Sequence, residues 1–232
     1  MSAPSIVILT GAGISAESGL GTFRDEGGLW AQHRIEDVAT PEAFARNPQL
    51  VVDFYNARRT QAHAATPNAA HVAIARLQAN HAGPVTLVTQ NVDDLHEKGG
   101  SQDVIHMHGA LTSALCATCD NRWPAPLTMA VGAACPRCNA PAARPDIVWF
   151  GEIPYHMERI ERALSAADIF VAIGTSGNVY PAAGFVQMAR HVGARTIEMN
   201  LDPGENAGLF DETRPGKASD TVPVWVETVL AG

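Results

Sequence analysis

Cys116, Cys119, Cys135 and Cys138 form two CxxC pairs, CATC and CPRC, with fifteen residues between them. Two such knuckles can bring four thiolates to the corners of a tetrahedron, the arrangement Zn²⁺ takes in closed structural sites. Four protein ligands leave no position for water, so this metal is expected to hold a short segment together and not to do chemistry. Two disulfides or a redox CxxC are the alternatives; a disulfide framework is usually spread more widely in a shorter chain. The segment carries few basic residues (Arg122, Arg137 and Arg144), which weakens a nucleic-acid role for it.

Other groups with chemical potential fall at the ends of apolar runs. GAGISA, from Gly11, fits a loose GxGxx[GA] pattern after a strand-like run, where backbone N–H groups could meet a pyrophosphate. No second strand ending in an acidic residue follows at the usual distance, and the glycine-rich stretch runs on through Phe23, Arg24 and Asp25. It reads as a phosphate-binding loop, with a plain surface loop as the alternative. Gln90, Asn91 and Asp93, then Gly174, Thr175 and Ser176, then Asn200 and Asp202 follow three further runs. Such groups could bond ribose hydroxyls, a carboxamide or a phosphate, and each alone could equally be a cap or turn. In HMHG, one of two imidazoles, His106 or His108, could act as a base near neutral pH, and the two would share a side if the strand continued.

One helix raises a separate question. In NPQLVVDFYNARRTQAHA, Asn47 suits an N-cap and Pro48 the first helical position. Leu50, Val51, Val52, Phe54, Tyr55 and Ala62 form one apolar stripe, with Arg58 near its middle and Arg59 at its edge. A guanidinium in such a place needs a partner. Asp53 or Asp37 could supply it from within the chain.

The elements that must position these groups follow from the patterning. Ile6–Thr10, Val85–Thr89, Asp168–Ser176 and Ala194–Asn200 are short runs, apolar or β-branched throughout, as in strands buried on both faces. Helical patterns cover Pro67–His81, Met157–Ala167 and Tyr180–Ala194. This alternation predicts a doubly wound parallel α/β sheet. Residues 35–64, helical without an intervening strand, and 111–145, which hold the cysteines, break the alternation and read as insertions that form a smaller lobe. That leaves 1–34, 65–110 and 146–232 as three parts of one Rossmann-like domain.

Bulk properties narrow the class. At 232 residues, 46% hydrophobic and 17% charged, the chain can bury a substantial core. A net charge of −8 argues against non-specific nucleic-acid binding. No apolar run approaches the roughly 20 residues of a membrane span, and the N-terminus lacks a basic n-region, so a cytoplasmic protein is expected.

Taken in order, GAGIS, TFRD, TQNVD, HMHG, the two CxxC pairs, VWFGE, GTS and the MN of RTIEMN follow the sequence of motifs found in sirtuins. The chain resembles that family from Gly11 to Ala218. The resemblance implies an NAD-dependent protein-lysine deacylase, with NAD and acyl-lysine meeting between a Rossmann-like domain and a smaller zinc-binding lobe. It implies that Gly11, Ala12, Gly13, Phe23, Arg24, Asp25 and Trp30 belong to the cofactor loop. Gln90, Asn91, Val92 and Asp93 would serve the nicotinamide ribose and carboxamide. Gly174, Thr175, Ser176, Asn200, Leu201, Asp202 and Ala218 would hold the adenosine half. His108 would be the general base, with Asn91 beside it as a second catalytic residue. Ile147, Val148, Trp149 and Phe150 would line the acyl-lysine tunnel and pair with the peptide backbone. The products would be nicotinamide, lysine and an O-acyl-ADP-ribose.

In one branch of that family a Tyr and an Arg three residues apart cap the tunnel, and Tyr55 and Arg58 match them. A succinyl or malonyl group would bring the carboxylate that a guanidinium binds through two bonds, and Ala39 would leave it room. Two departures from the family pattern stand out. Gly21 replaces a proline, which would loosen the loop, and Asp146 replaces a histidine, which would add negative charge near the peptide groove. The partners expected are acyl-lysine proteins or peptides and NAD, for a monomer with no membrane or direct nucleic-acid contact. The competing readings are an NAD-dependent mono-ADP-ribosyltransferase and a non-enzymatic zinc-ribbon module that senses NAD.

Overall fold

The computed structural model describes residues 3–21 and 33–232. A six-stranded sheet with every pairing parallel forms its main body, in the order β3-β2-β1-β7-β8-β9. Its strands are β1 (Ile6–Thr10), β2 (Val85–Thr89), β3 (Ile105–His106), β7 (Ile169–Ile173), β8 (Arg195–Asn200) and β9 (Glu212–Pro215). The four runs expected to be buried strands are β1, β2, β7 and β8. The order reverses beside β1, which pairs with β2 on one side and β7 on the other. In open α/β sheets this is the point where a crevice opens at the carboxyl ends of the strands.

Alternate residues of these strands feed two cores. Ile6 and Ile8 face one core with α4 (Ala69–Asn80) and α8 (Ala218–Leu230), where Ile74, Leu77, Val222 and Trp225 are buried. Val7 and Leu9 face the other with α6 (Met157–Ser165) and α7 (Phe185–His191), through Ile160, Leu164, Phe185 and Val186. Each fully buried aliphatic side chain contributes about 1.5–3 kcal/mol relative to exposure, so both faces hold the strand ends rigidly.

The expected helix with an Asn47 cap is α3 (Pro48–Ala64), and the Asn47 side chain accepts the Leu50 amide at 3.2 Å. It follows α1 (Ile35–Val38) and α2 (Pro41–Arg46), and α5 (Leu95–Lys98) comes after β2. The cysteine-bearing segment forms a three-stranded antiparallel sheet, β5-β4-β6, from β4 (Gly109–Cys116), β5 (Arg122–Pro124) and β6 (Ala143–Ile147). Helix α3 packs on this sheet: Phe54 and Tyr55 share a core with Leu111, Ile147 and Trp149. No helix among the described residues is long and apolar enough to cross a membrane.

Candidate active site

A cleft of about 770 Å³ separates the carboxyl ends of the parallel strands from α3 and the smaller sheet. Every described residue that the sequence marked for cofactor or substrate lines it. Gly11, Ala12 and Gly13 follow β1, and Gln90, Asn91, Val92 and Asp93 follow β2. Gly174, Thr175 and Ser176 follow β7, Asn200, Leu201 and Asp202 lie at the end of β8, and Ala218 begins α8. Ala39, Tyr55 and Arg58 come from the opposite wall, as do Ile147, Val148, Trp149 and Phe150. His108 reaches the cleft from the turn between β3 and β4. Phe23, Arg24, Asp25 and Trp30 lie outside the described residues.

The glycine turn does something other than the loose motif suggested. The Gly11 and Gly13 amides donate to the carbonyls of Ile173 and Gly174 at 3.0 and 2.9 Å, so neither is left for a phosphate. A Cβ on Gly13 would stand 2.7 Å from the Gly174 Cα, and Gly174 itself has φ +63°. The glycines let two strand ends touch, and the chain then enters a 3₁₀ helix over Ala12–Ser18.

Around the β2 turn, side chains commit one another. Asn91 Nδ2 donates to the Gly11 carbonyl at 3.1 Å and to Ser15 Oγ at 3.2 Å, and Ser15 donates to Asp93 Oδ2 at 3.2 Å. With both amide hydrogens spent, Asn91 can offer a ligand only its carbonyl oxygen. Burial raises the Asp93 carboxyl above the usual range, while bonds from the Leu95 amide and Ser15 and the charges of His106 and Arg58 pull it back. Ser15 was not singled out from sequence, although it belongs to the same GAGIS motif.

The two imidazoles of HMHG are not equivalent. Strand β3 stops at His106, so the pair does not share a strand face. His106 is bound to Glu97 at 2.7 Å and to the Asn91 carbonyl at 3.1 Å. Burial would lower its pKa, but the Glu97 carboxylate outweighs burial and raises it. His108 Nδ1 lies 3.2 Å from the Gln90 carbonyl. A carbonyl only accepts, so Nδ1 carries the hydrogen and Nε2 keeps its lone pair. Burial holds His108 below the usual histidine range, and the bond to Gln90 offsets part of this. The imidazole is therefore neutral at pH 7, as a base must be. The turn that aims it ends at Gly109, with φ +80°, where a Cβ would fall 2.1 Å from the Asp146 carbonyl oxygen.

On the opposite wall the two adjacent arginines part company. Arg59, expected at the edge of the stripe, is the one in the interior, 5% exposed. It donates to the Leu111 carbonyl at 2.7 Å and to Asn56 Oδ1 at 2.8 Å, tying α3 to the smaller sheet. Arg58 is half-buried and lines the cleft, so the middle of the stripe faces a cavity and not a core. Asp37 binds Arg46 and Asp53 accepts from Gln49, so each carboxylate has a partner other than Arg58. Burial lowers the Arg58 pKa, opposed by Tyr55 and the Asp93 charge; from a starting point this high the guanidinium stays charged.

Asp146 is also corrected. It is 4% exposed and does not line the cleft. Its carboxylate accepts from Ser113 at 2.8 Å, Arg122 at 3.1 Å and Tyr155 at 2.9 Å, and so fastens strands of the smaller sheet to the loop before α6. The added charge is paired with Arg122 and bonded inside the fold, away from the cleft lining.

The cysteines meet the requirement of a metal centre. Their four sulfurs lie within 4.8 Å of one another, with Cys116–Cys138 at 3.6 Å and Cys119–Cys135 at 3.7 Å. These separations exceed a disulfide bond and match the edge of roughly 3.8 Å for a tetrahedron with Zn–S near 2.3 Å. The Thr118 and Arg137 amides each donate to a sulfur at 3.4 Å, as suits thiolates.

Comparison with known proteins gives the family and the fold. The Sir2 family model matches residues 11–181. An NAD-dependent protein deacylase of Caulobacter vibrioides is 58% identical, with 97% of each chain covered. One of Vibrio parahaemolyticus is 55% identical, over 98% of this chain and 95% of its own. Among solved structures, a Sir2 homolog–NAD complex superposes with a TM-score of 0.89 at 39% identity, covering 97% of this chain and 88% of that one. A Sir2 homologue mutant in complex with ADP-ribose gives 0.90 at 38% identity, covering 97% and 91%.

Proposed function

We propose that this chain, which belongs to the Sir2 family and is an NAD-dependent protein deacylase, removes both acetyl and negatively charged acyl groups, succinyl and malonyl, from lysine side chains. NAD supplies an electrophilic ribose carbon once nicotinamide leaves, and its ADP-ribose half carries the acyl group away. The turns after β1 and β2, with Gly11, Ala12, Gly13, Gln90, Asn91, Val92 and Asp93, would form the wall beside its phosphates and nicotinamide ribose, the Gly11 and Gly13 amides being already bonded within the fold. Gly174, Thr175, Ser176, Asn200, Leu201, Asp202 and Ala218 would hold the adenosine half. His108, with Nε2 free of its proton, would take one from a ribose hydroxyl.

The observation that carries the acyl selectivity is the hydrogen bonding of Tyr55. Its hydroxyl accepts the Trp149 indole N–H at 3.1 Å. The Arg58 guanidinium stands beside it, its carbon 5.8 Å from the centre of the Tyr55 ring. Indole and guanidinium are both donors only, so neither can take the Tyr55 hydrogen. A carboxylate in the cleft would accept from the phenol and from Arg58 together, whereas an acetyl methyl would use neither. The amides of Val148, Trp149 and Phe150 are spent on His108, Glu152 and Ala39. A substrate backbone pairing along this segment would therefore donate to its carbonyls.

The test is NAD-dependent release from one peptide carrying acetyl-lysine or succinyl-lysine. Arg58→Met is expected to cut kcat/KM for succinyl by about 100-fold, or ~3 kcal/mol, the loss typical of one partner of a desolvated charge pair. The acetyl reaction should change little. Equal loss of both reactions would refute the carboxylate role. A Cys₄ zinc site needs reduced thiols, which fits a cytoplasmic location, and a monomer suffices because one chain supplies every group named.

A further inference from the structure

We infer that Arg144 and Glu152 are positioning residues for carboxylated acyl groups, clamping Trp149 so that its indole directs the Tyr55 hydroxyl into the cleft. The inference rests on the carboxylate reading above and adds two residues to it.

Trp149 is held at two points by one ion pair. Arg144 donates through Nη1 and Nη2 to the two oxygens of Glu152 at 2.7 and 2.9 Å, and Nη2 also reaches the Ile147 carbonyl at 2.8 Å. These three bonds resist turning of the guanidinium. Its carbon lies 3.6 Å from the centre of the Trp149 ring, a stacked cation–π contact. Glu152 Oε2 in turn accepts the Trp149 backbone amide at 2.8 Å. The ring is thus fixed by the cation and the backbone by the anion, in a pair whose side chains are only 11% and 29% exposed. Phe44 packs against the ring at 5.2 Å between centroids.

The consequence is directional. The indole N–H occupies one lone pair of the Tyr55 oxygen. A phenol hydrogen prefers the ring plane, so fixing the accepted bond leaves the O–H to turn toward the cleft. Arg58 already donates to the same oxygen, so both accepted bonds fix the phenol while the clamp holds; with the clamp released, the indole would tilt away and the phenol hydrogen would lose its fixed direction. A ligand carboxylate would then lose a bond, while an acetyl group, having no carboxylate, would lose none. Arg144 does not itself line the cleft; besides its hold on Trp149 it reaches Tyr55 only through its charge, which Arg144→Lys would keep.

The experiment measures kcat/KM for the succinyl and acetyl forms of one peptide with the full-length protein, Arg144→Met, Glu152→Gln, Tyr55→Phe and the Arg144→Met/Tyr55→Phe double variant. Arg144→Met and Glu152→Gln should each lower the succinyl-to-acetyl ratio by about tenfold, mainly by raising KM for the succinyl peptide, as expected for one misdirected hydrogen bond to a charged group. In the Tyr55→Phe background Arg144→Met should change the ratio by less than about twofold, because the hydroxyl through which it acts is gone. Equal loss on both substrates, or an undiminished effect without the hydroxyl, overturns the inference. Glu152 lines the cleft, so if Arg144→Met does not fold, the same test is carried by Arg144→Lys, which keeps the charge but loses the paired bonds and the stacking on Trp149. Arg58→Met separates the two readings. If it leaves the ratio unchanged, the carboxylate reading falls and this inference with it. If it lowers the ratio while the Arg144 and Glu152 variants do not, this inference alone falls.

Discussion

Along the sheet wall of the cleft, the groups that would meet NAD arrive on backbone already fixed by two aliphatic cores, at the ends of β1, β2, β7 and β8. Along the facing wall, position comes from side chains: Arg59 bound to the Leu111 carbonyl, Arg144 to Glu152, Asp146 to Ser113, Arg122 and Tyr155, and four sulfurs set for a metal. The first means of support is spread over many weak contacts, the second concentrated in a few strong ones. A wall of the second kind can change its chemistry by one substitution, and it is also the wall that would meet the variable acyl group. The first wall serves whatever acyl group is brought to it.

The sharpest way to break this comparison is to remove the metal. A structural zinc contributes on the order of 10 kcal/mol to the segment that binds it. Chelation, or Cys119→Ser, should abolish deacylation of acetyl and succinyl peptides alike. Hydrogen exchange should show lost protection in β4, β6 and α3, with β1, β2, β7 and β8 still protected. Simultaneous loss in the parallel strands would mean that the walls are not independently supported.

Next in size is His108→Gln on the other wall. It should lower kcat by about 10²–10⁴-fold for both acyl groups, the usual contribution of a general base, with the melting temperature nearly unchanged. The wild-type rate has a direction with pH as well. If His108 is the base, it works when neutral, and burial depresses its pKa below 6.5, so kcat/KM should stay level through pH 7 and fall only below 6.5. A rate already falling above pH 7 would point to another group.

Arg59→Met should be smaller and of a different kind. It leaves the buried Leu111 carbonyl without its donor, at roughly 1–3 kcal/mol, while Asn56 Oδ1 keeps the Met129 amide. Urea unfolding should show about 2 kcal/mol of lost stability, while the succinyl-to-acetyl ratio stays as in the wild type. Set beside Arg58→Met, which should do the reverse, it tests whether two neighbours on α3 divide support from recognition.

The sequence announced the sheet wall more openly than the other. Runs such as IVILT and VTLVT are short, β-branched and bounded by turn residues, which favours buried strands, and strand ends of that kind mark the crevice. The CxxC spacing and the Asn47–Pro48 start of α3 were legible for equally local reasons. The facing wall depends on contacts between distant segments. Periodicity put Arg58 mid-stripe but could not say that the stripe's middle faces a cavity and its edge a core. Asp146 was misplaced because its partners come from β4, β5 and a later loop. The Arg144–Glu152 pair spans a strand end at a spacing that belongs to no local pattern. Strand β9 and helix α8 gave weak signals because β9 has no buried residue and α8 carries Pro223 in its interior.

The last effect tests the sheet wall's own reserve of polar strain. His71 in α4 and His96 in α5 are both buried, their rings 4.9 Å apart. His96 Nε2 lies 2.9 Å from Thr10 Oγ1, which donates to Thr89 Oγ1, and that oxygen also accepts the Asn91 amide. The chain of bonds thus ends at the β2 turn. Burial pushes the His71 pKa down to about 4 and holds His96 well below the histidine range, with the His71 and His106 charges adding to the effect. A histidine depressed in the folded state binds its proton more readily when unfolded, so stability must fall as pH drops from 6.5 toward 4 and level off below that. For His71 alone the loss is about 2 kcal/mol at pH 5 relative to pH 7.5. Acid also protonates thiolates and weakens a zinc site, so unfolding at pH 7.5 and 5 should be compared between wild type and His71→Gln. A smaller pH difference in the variant assigns the acid loss to the sheet wall. An identical difference assigns it to the cysteines, and would make the metal-bearing wall the weaker of the two in acid.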